Sequence, residues 1–302
     1  MIAAMLRLPG WLPQNAIFVN SAGGVMIFAS VLFHRQEPRP SRSGPWVRGT
    51  WALVLLVCCS VQSVTAEVLH VAVASNFAGP MRELAKGFET QHGHHVNLSF
   101  GSSGKLFAQI EHGAPFDVFL SADQHKIDVL VEKGLAVPDS QFSYAIGTLV
   151  LWAPDQIQTA NPLVMLKEGR FAHLAMANPL LAPYGQAAEE VLRRLGLLAS
   201  TTQKQVLGDN INQAFQFVAT GNAELGFVAL SQVLALPAEQ RGQFWRVPAE
   251  LAPPILQDAA LLQRSSKTAA ATALLGYLAG AEGQAVIRRY GYDVVSATTP
   301  SD

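Results

Sequence analysis

The sequence predicts an α/β fold with mainly parallel strands, on three observations. Short apolar runs of strand length alternate with stretches whose apolar residues recur at helical spacing. Each strand-like run closes on a turn of Ser, Asn, Gly or Asp that can start a helix. Half of the 302 residues are apolar and only 14% are charged, ample for a buried core. Successive strand–turn–helix units imply parallel pairing through right-handed crossovers, with any ligand beyond the carboxyl ends of the strands. At this length one large or two moderate domains are expected.

The first 66 residues read as an export segment. Arg39, Arg42 and Arg48 precede the apolar run Trp51 to Cys59, and Val64-Thr65-Ala66 supplies a V-x-A cleavage site, so removal after Ala66 is expected. The run is short for a spanning helix, and an uncleaved anchor is the lesser alternative. Residues Met1 to Pro38 are long for a signal, which makes Met26 a candidate initiator. Both cysteines, Cys58 and Cys59, fall inside this segment, so the mature chain has no disulfide or cysteine metal site. Lipid attachment there is disfavoured, because the usual preceding Gly or Ala is absent. Loss of five arginines and one acid takes the net charge from −1 to −5. Nothing in this balance suggests nucleic acid, and a bound anion would need local donors rather than an overall field.

In the mature chain, Val68 to Ala74 is a buried strand ending at Ser75-Asn76, and Pro80 suits the first turn of a helix carrying Met81, Leu84, Ala85 and Phe88. Val96 to Phe100 is the second strand, and Ser102-Ser103 opens the helix Leu106 to His112. Phe116 to Leu120 is the third, with Asp123 capping Ile127 to Lys133. Ala145 to Ala153 reads as one longer strand, a candidate crossover into a second lobe. Strand Leu174 to Ala177 leads through Tyr184-Gly185 into helix Ala187 to Leu197, and Asp209-Asn210-Ile211 opens a helix to Ala219. Leu225 to Leu230 is a buried strand, Pro248, Pro253 and Pro254 punctuate a linker, and Ile255 to Leu262 is a strand that could cross back. Helices Lys267 to Leu278 and Gly283 to Tyr290 close the chain, with a tail from about Thr298.

Most catalytic signatures fail. Gly101 to Lys105 lacks the spacing of a phosphate loop, and Leu106 stands where Ser or Thr should hold magnesium. No G-x-S-x-G elbow is present. His92, His94 and His95 suit a solvated helix end better than a metal site. What remains is a set of neutral donors at strand ends, suited to a fully deprotonated oxyanion. A protonated ligand would require an acceptor as well, and Asp123 and Asp209 are near in sequence, though both are expected as helix caps. At about 1.5–3 kcal/mol for a hydrogen bond to a charged group, roughly five to seven could offset dehydration and support micromolar to nanomolar binding.

The segments Val71-Ala72-Val73-Ala74-Ser75-Asn76-Phe77, Phe100 to Leu106, Gly113-Ala114-Pro115-Phe116-Asp117-Val118-Phe119-Leu120-Ser121-Ala122-Asp123 and Arg289-Tyr290-Gly291-Tyr292 resemble the periplasmic molybdate-binding proteins of ABC importers. The resemblance spans residues 67–295. It implies the type II periplasmic-binding-protein fold, each lobe a mixed, mainly parallel sheet flanked by helices. On that basis 67–145 plus 255–296 form lobe 1, 146–254 form lobe 2, and 297–302 are a tail. The resemblance also implies the ligand donors. Ser75, Asn76 and Ser103 serve from the first lobe, with the N–H of Ala122; Tyr184 and the N–H of Ile211 serve from the second. One family branch carries a tyrosine at the position of Ala229 and Ala at that of Tyr184, which sets this chain in the other branch.

The expectation is thus a non-enzymatic periplasmic receptor, a monomer without cofactor, that captures molybdate or tungstate and hands it to a membrane permease. Selectivity over sulfate would come from pocket volume. The alternatives are another tetrahedral oxyanion such as sulfate or phosphate, or an exported hydrolase using Ser103, which lacks a paired base.

Overall fold

The computed structural model describes residues 66–154 and 161–294. The export signal, both cysteines, Met26 and the tail therefore lie outside the described residues, apart from Ala66.

The strands form two five-stranded mixed sheets. In the first, β1 (Val68–Ala74) pairs in parallel with β2 (His95–Gly101) and with β3 (Val118–Leu120). The later strand β10 (Ile255–Leu261) inserts antiparallel between β3 and β4 (Phe142–Gly147). Helices α1 (Ala78–His92), α2 (Ser103–Glu111) and α3 (His125–Glu132) join the parallel strands. Strand β1 is apolar apart from His70, as suits a strand with both faces covered. Leu69, Val71 and Val73 pack with Met81, Leu84 and Phe88 of α1, while Ala72 points the other way, toward Leu106 and Ile110 of α2.

The second sheet runs in the order β7 (Gln205–Gly208), β6 (Leu174–Ala177), β8 (Leu225–Ala229), β5 (Leu149–Ala153), β9 (Gln243–Arg246). Its parallel triplet β7-β6-β8 repeats the plan of β2-β1-β3. Strand β5 alternates likewise: Leu149 and Leu151 face one cluster, Val150 and Trp152 the other. Around it lie α4 (Pro162–Glu168), α5 (Pro183–Arg194), the short α6 (Leu198–Thr201), α7 (Ile211–Ala219) and α8 (Leu230–Leu234). Helices α9 (Thr268–Ala279) and α10 (Ala281–Arg289) follow β10 and cover the first sheet.

Several expectations are corrected. The single strand expected over Ala145 to Ala153 is two strands in different sheets, broken at Thr148. Gly147 ends β4 against a crowded neighbour: a Cβ there would stand 2.1 Å from the Tyr184 hydroxyl. Helix α5 starts at Pro183 rather than Ala187, because Gly185 lets its first turn rest on β6, where a Cβ would meet the Ala177 carbonyl at 2.3 Å. Strands β7 and β9, missed in the sequence, are sheet edges with little apolar pattern. Asp123 does accept the Lys126 N–H at 2.9 Å, but Asp209 is no cap; the Asn210 side chain takes that role, accepting from the N–H groups of Asn212 and Gln213. His94 is not solvated: it is buried near Phe88, and its Nδ1 accepts the Glu67 N–H at 3.2 Å.

Candidate functional site

Five strand ends converge between the two sheets. The turn after β1 carries Ser75 and Asn76 in a single 3₁₀ turn leading into α1. After β2, Ser102 caps α2, its hydroxyl accepting the Lys105 N–H, and Ser103 is the first helical residue. Ala122 follows β3. From the second sheet, the turn after β6 delivers Tyr184 in the first turn of α5, and Ile211 opens α7 after β7. The N–H groups of Ser103 and Ile211, at the first position of their helices, have no intrahelical acceptor and sit at the positive end of a helix dipole.

Ser75, Asn76, Ser103, Ala122, Tyr184 and Ile211, the six residues named from the sequence, all line one cavity of about 180 Å³, together with Ala74, Gly101, Ser102, Ala182 and Pro183. The space they leave is small, which suits a small polyatomic ion. None of the lining residues is Asp, Glu, Lys, Arg or His. A larger groove opens beside it past Gln124, Gln186, Arg193 and Pro253.

The polar groups are held in defined roles. The Ala122 N–H donates to Ser103 Oγ at 2.9 Å, so it orients the serine, and the hydroxyl proton of Ser103 is left for the cavity. The Asn76 side-chain Nδ2 is used by Gln257 Oε1 at 2.7 Å and the Tyr292 hydroxyl at 3.1 Å, which leaves the backbone N–H as the Asn76 donor. Tyr184 is 1% exposed and lies 3.4 Å from Gln257 Nε2. Burial first, then the neighbouring Tyr292 and Tyr144, hold its phenol well above the usual value, so it is a neutral donor at any physiological pH. Gln257, Tyr144 and Tyr292 were not singled out from the sequence; the closing Gly291-Tyr292 motif was the available signal for the last.

The two halves touch around this cavity. The Gly104 N–H donates to the Leu181 carbonyl at 2.9 Å, and Lys105 pairs with Asp209 at 2.6 Å. Ser231 of α8 lies 3.0 Å from the Tyr292 hydroxyl, joining the second sheet's helix to the segment behind Asn76. Ala229, the departure noted in the sequence, packs in the same apolar cluster as Tyr184.

Comparison with known proteins adds four findings. A family described as bacterial extracellular solute-binding protein matches residues 69–293. The molybdate-binding protein ModA of Azotobacter vinelandii is 48% identical over 237 residues, covering 78% of this chain and 93% of the relative. The protein of the same name from Rhodobacter capsulatus is 44% identical over 81% of this chain and 95% of the relative. Among solved structures, the periplasmic molybdate-binding protein of Azotobacter vinelandii superposes with a TM-score of 0.72 at 39% identity, covering 75% of this chain and 99% of that one.

Proposed function

The chain belongs to the bacterial extracellular solute-binding proteins, binding proteins rather than enzymes, and we propose that it captures molybdate between two lobes and delivers it to the permease of an ABC importer. In this reading the lobes are 67–147 with 255–296, and 148–254, the first boundary moving from 145 because Ile146 and Gly147 pair with Leu256 and Ile255 in the first sheet. One observation carries this reading: donors from five strand ends meet in a small cavity that no charged side chain lines. A doubly negative tetrahedral ion would be held there by the hydroxyls of Ser103 and Tyr184, the N–H groups of Asn76 and Ile211, and the Ser75 turn, with Ala122 acting through Ser103. Helix dipoles from α2, α5 and α7, whose first turns line the cavity, would supply positive potential there. The relatives named for molybdate support the choice of ion.

Tungstate, of the same shape and charge, is the second ligand of this site. Sulfate, smaller but equal in charge, would be rejected because the same donors cannot all reach it. The protein would act in the periplasm as a monomer without cofactor, its signal removed after Ala66. Among the described residues no helix is long and apolar enough to cross a membrane.

Calorimetric titration with molybdate, tungstate, sulfate and phosphate tests this. One ion per chain, with molybdate and tungstate at about micromolar affinity or tighter and sulfate unable to compete at large excess, is the expected result. Equal competition by sulfate or phosphate would reject the choice of ion.

A further inference from the structure

We propose that Gln257 is the positioning residue that makes Tyr184 a hydrogen-bond donor toward the cavity and so restricts the site to ligands presenting an unprotonated oxygen there. The inference rests on the oxyanion reading above and deepens it to the protonation state of the ligand.

The argument is a count of protons. The Tyr292 hydroxyl has one, and the Asn76 carbonyl at 2.7 Å takes it. Toward the Asn76 side chain Tyr292 can therefore only accept, so the amide atom 3.1 Å away is nitrogen. That nitrogen also lies 2.7 Å from the Gln257 amide, whose facing atom must then be oxygen. The Tyr144 hydroxyl, 3.0 Å from the same oxygen, agrees as a second donor. Gln257 Nε2 is left at the far end, facing the Tyr184 oxygen at 3.4 Å. Tyr184 accepts from it. The neighbouring Tyr292 oxygen, which already accepts from Asn76 Nδ2 and faces Ser231 Oγ, has no lone pair left for Tyr184, so the Tyr184 proton is left for the cavity.

Two features make this more than a chance contact. Gln257 is fully buried on β10, where the strand slips register between Gln257 and Asp258. Beside it, a Cβ at Gly147 would stand 2.6 Å from Gln257 Nε2, so a side chain at that position would crowd out the amide–phenol contact. The first half uses the same device, since the Ala122 N–H occupies Ser103 Oγ and leaves that proton free. The hydroxyls from opposite halves are thus both set as donors, and a ligand O–H placed at Tyr184 would meet a proton with a proton.

Gln257→Glu keeps the shape and the acceptor for Asn76 and Tyr144 and replaces the donor facing Tyr184 with a titratable carboxyl. Its charge when ionised also repels a dianion, so the charge-free Gln257→Met cycle below separates the two effects. Burial raises the pKa of the introduced carboxyl, bringing its titration toward neutrality. Sodium molybdate titrated into the purified variant at about pH 8.5 is expected to bind roughly 10–150-fold more weakly than to wild type. Most of that loss should be regained by about pH 6 as the carboxyl takes up a proton, while wild-type affinity stays flat. A loss that acid does not reverse would assign Gln257 a purely structural role and overturn the proposal. Gln257→Met, independent of titration, gives a second reading. It should weaken binding by about tenfold in wild type and by less than about twofold in a Tyr184→Phe background. An equal loss in both backgrounds overturns the proposal. The parent reading fails by a different sign: Tyr184→Phe binding molybdate as wild type does would remove the site itself.

Discussion

In the first half of the molecule the cavity is reached by the ends of β1, β2 and β3, in the second by the ends of β6 and β7, and the two parallel triplets share one plan. Their contributions differ in reach. The first half presents short groups locked by their own neighbours, such as Ser103 through Ala122. The second presents a long phenol whose hydroxyl is held by Gln257, a residue of the first sheet. A short donor fixed within its own sheet is ready before the halves meet. The Tyr184 hydroxyl acquires its orientation only where β10 and the first turn of α5 lie together. On the proposed reading, one wall would be preorganised and the other completed as the halves close.

Four experiments break or sharpen this comparison. The largest effect is expected at Gly104, where the halves meet backbone to backbone. A Cβ there would stand 2.8 Å from the Leu181 carbonyl. Gly104→Ala should lower molybdate affinity by about 100-fold, read by calorimetry, since backbone cannot yield as a side chain can. The unliganded melting temperature should hold or rise, because alanine favours a helix.

Next come the two hydroxyls. Ser103→Ala and Tyr184→Phe should each cost about 1.5–3 kcal/mol of binding. Ser103→Ala should cost the more, since it also leaves the Ala122 N–H without its acceptor.

The third concerns the tyrosines at the joint. Burial pushes the Tyr292 phenol up to about 12, opposed in part by its bonds to Ser231 and Asn76. In the unfolded chain a tyrosine ionises near 10. The folded state thus holds the proton more tightly, and the stability this gives is complete below about pH 10 and lost as pH rises toward about 12. Thermal melts should be level below the window and fall across it, Tyr292 contributing roughly 2–3 kcal/mol on top of contributions of the same sign from Tyr144 and Tyr184. In Tyr292→Phe that fall should shrink.

The smallest effect belongs to the rim. Lys105 and Asp209 are 45% and 59% exposed, so their pair is screened despite its 2.6 Å contact. Asp209→Asn should weaken molybdate binding by about 0–1 kcal/mol, and the difference should vanish in roughly 0.5 M salt.

Legibility in the sequence followed the same division. The first wall could be read because β1 and β3 are central and largely apolar, the edge strand β2 still alternates Val96, Leu98 and Phe100, and its turns lie inside short motifs of Ser, Asn and Gly. In the second half the edge strands β7 and β9 left little pattern, since a strand with one solvated edge can carry Gln, Arg or an exposed Leu207. Tyr184 and the N–H near Ile211 could be read as neutral donors at strand ends, while their assignment to the ligand came from a family resemblance. The passage between sheets was misread as one strand because Gly147-Thr148 interrupts an apolar run without a proline or a charge to mark it. Gln257 was illegible for a deeper reason. A glutamine in a strand has no local signature of the tyrosines that will surround it, drawn from positions 144, 184 and 292.

The central claim is that uncharged donors from both sheets strip water from one oxyanion, and a crystal structure of the protein grown with molybdate tests it most directly. The account predicts one tetrahedral ion in the cavity, within hydrogen-bond distance of Ser103 Oγ, the Tyr184 hydroxyl and the Ile211 N–H. An ion held instead by lysine or arginine side chains, or a cavity without one while molybdate sits elsewhere on the chain, would contradict it.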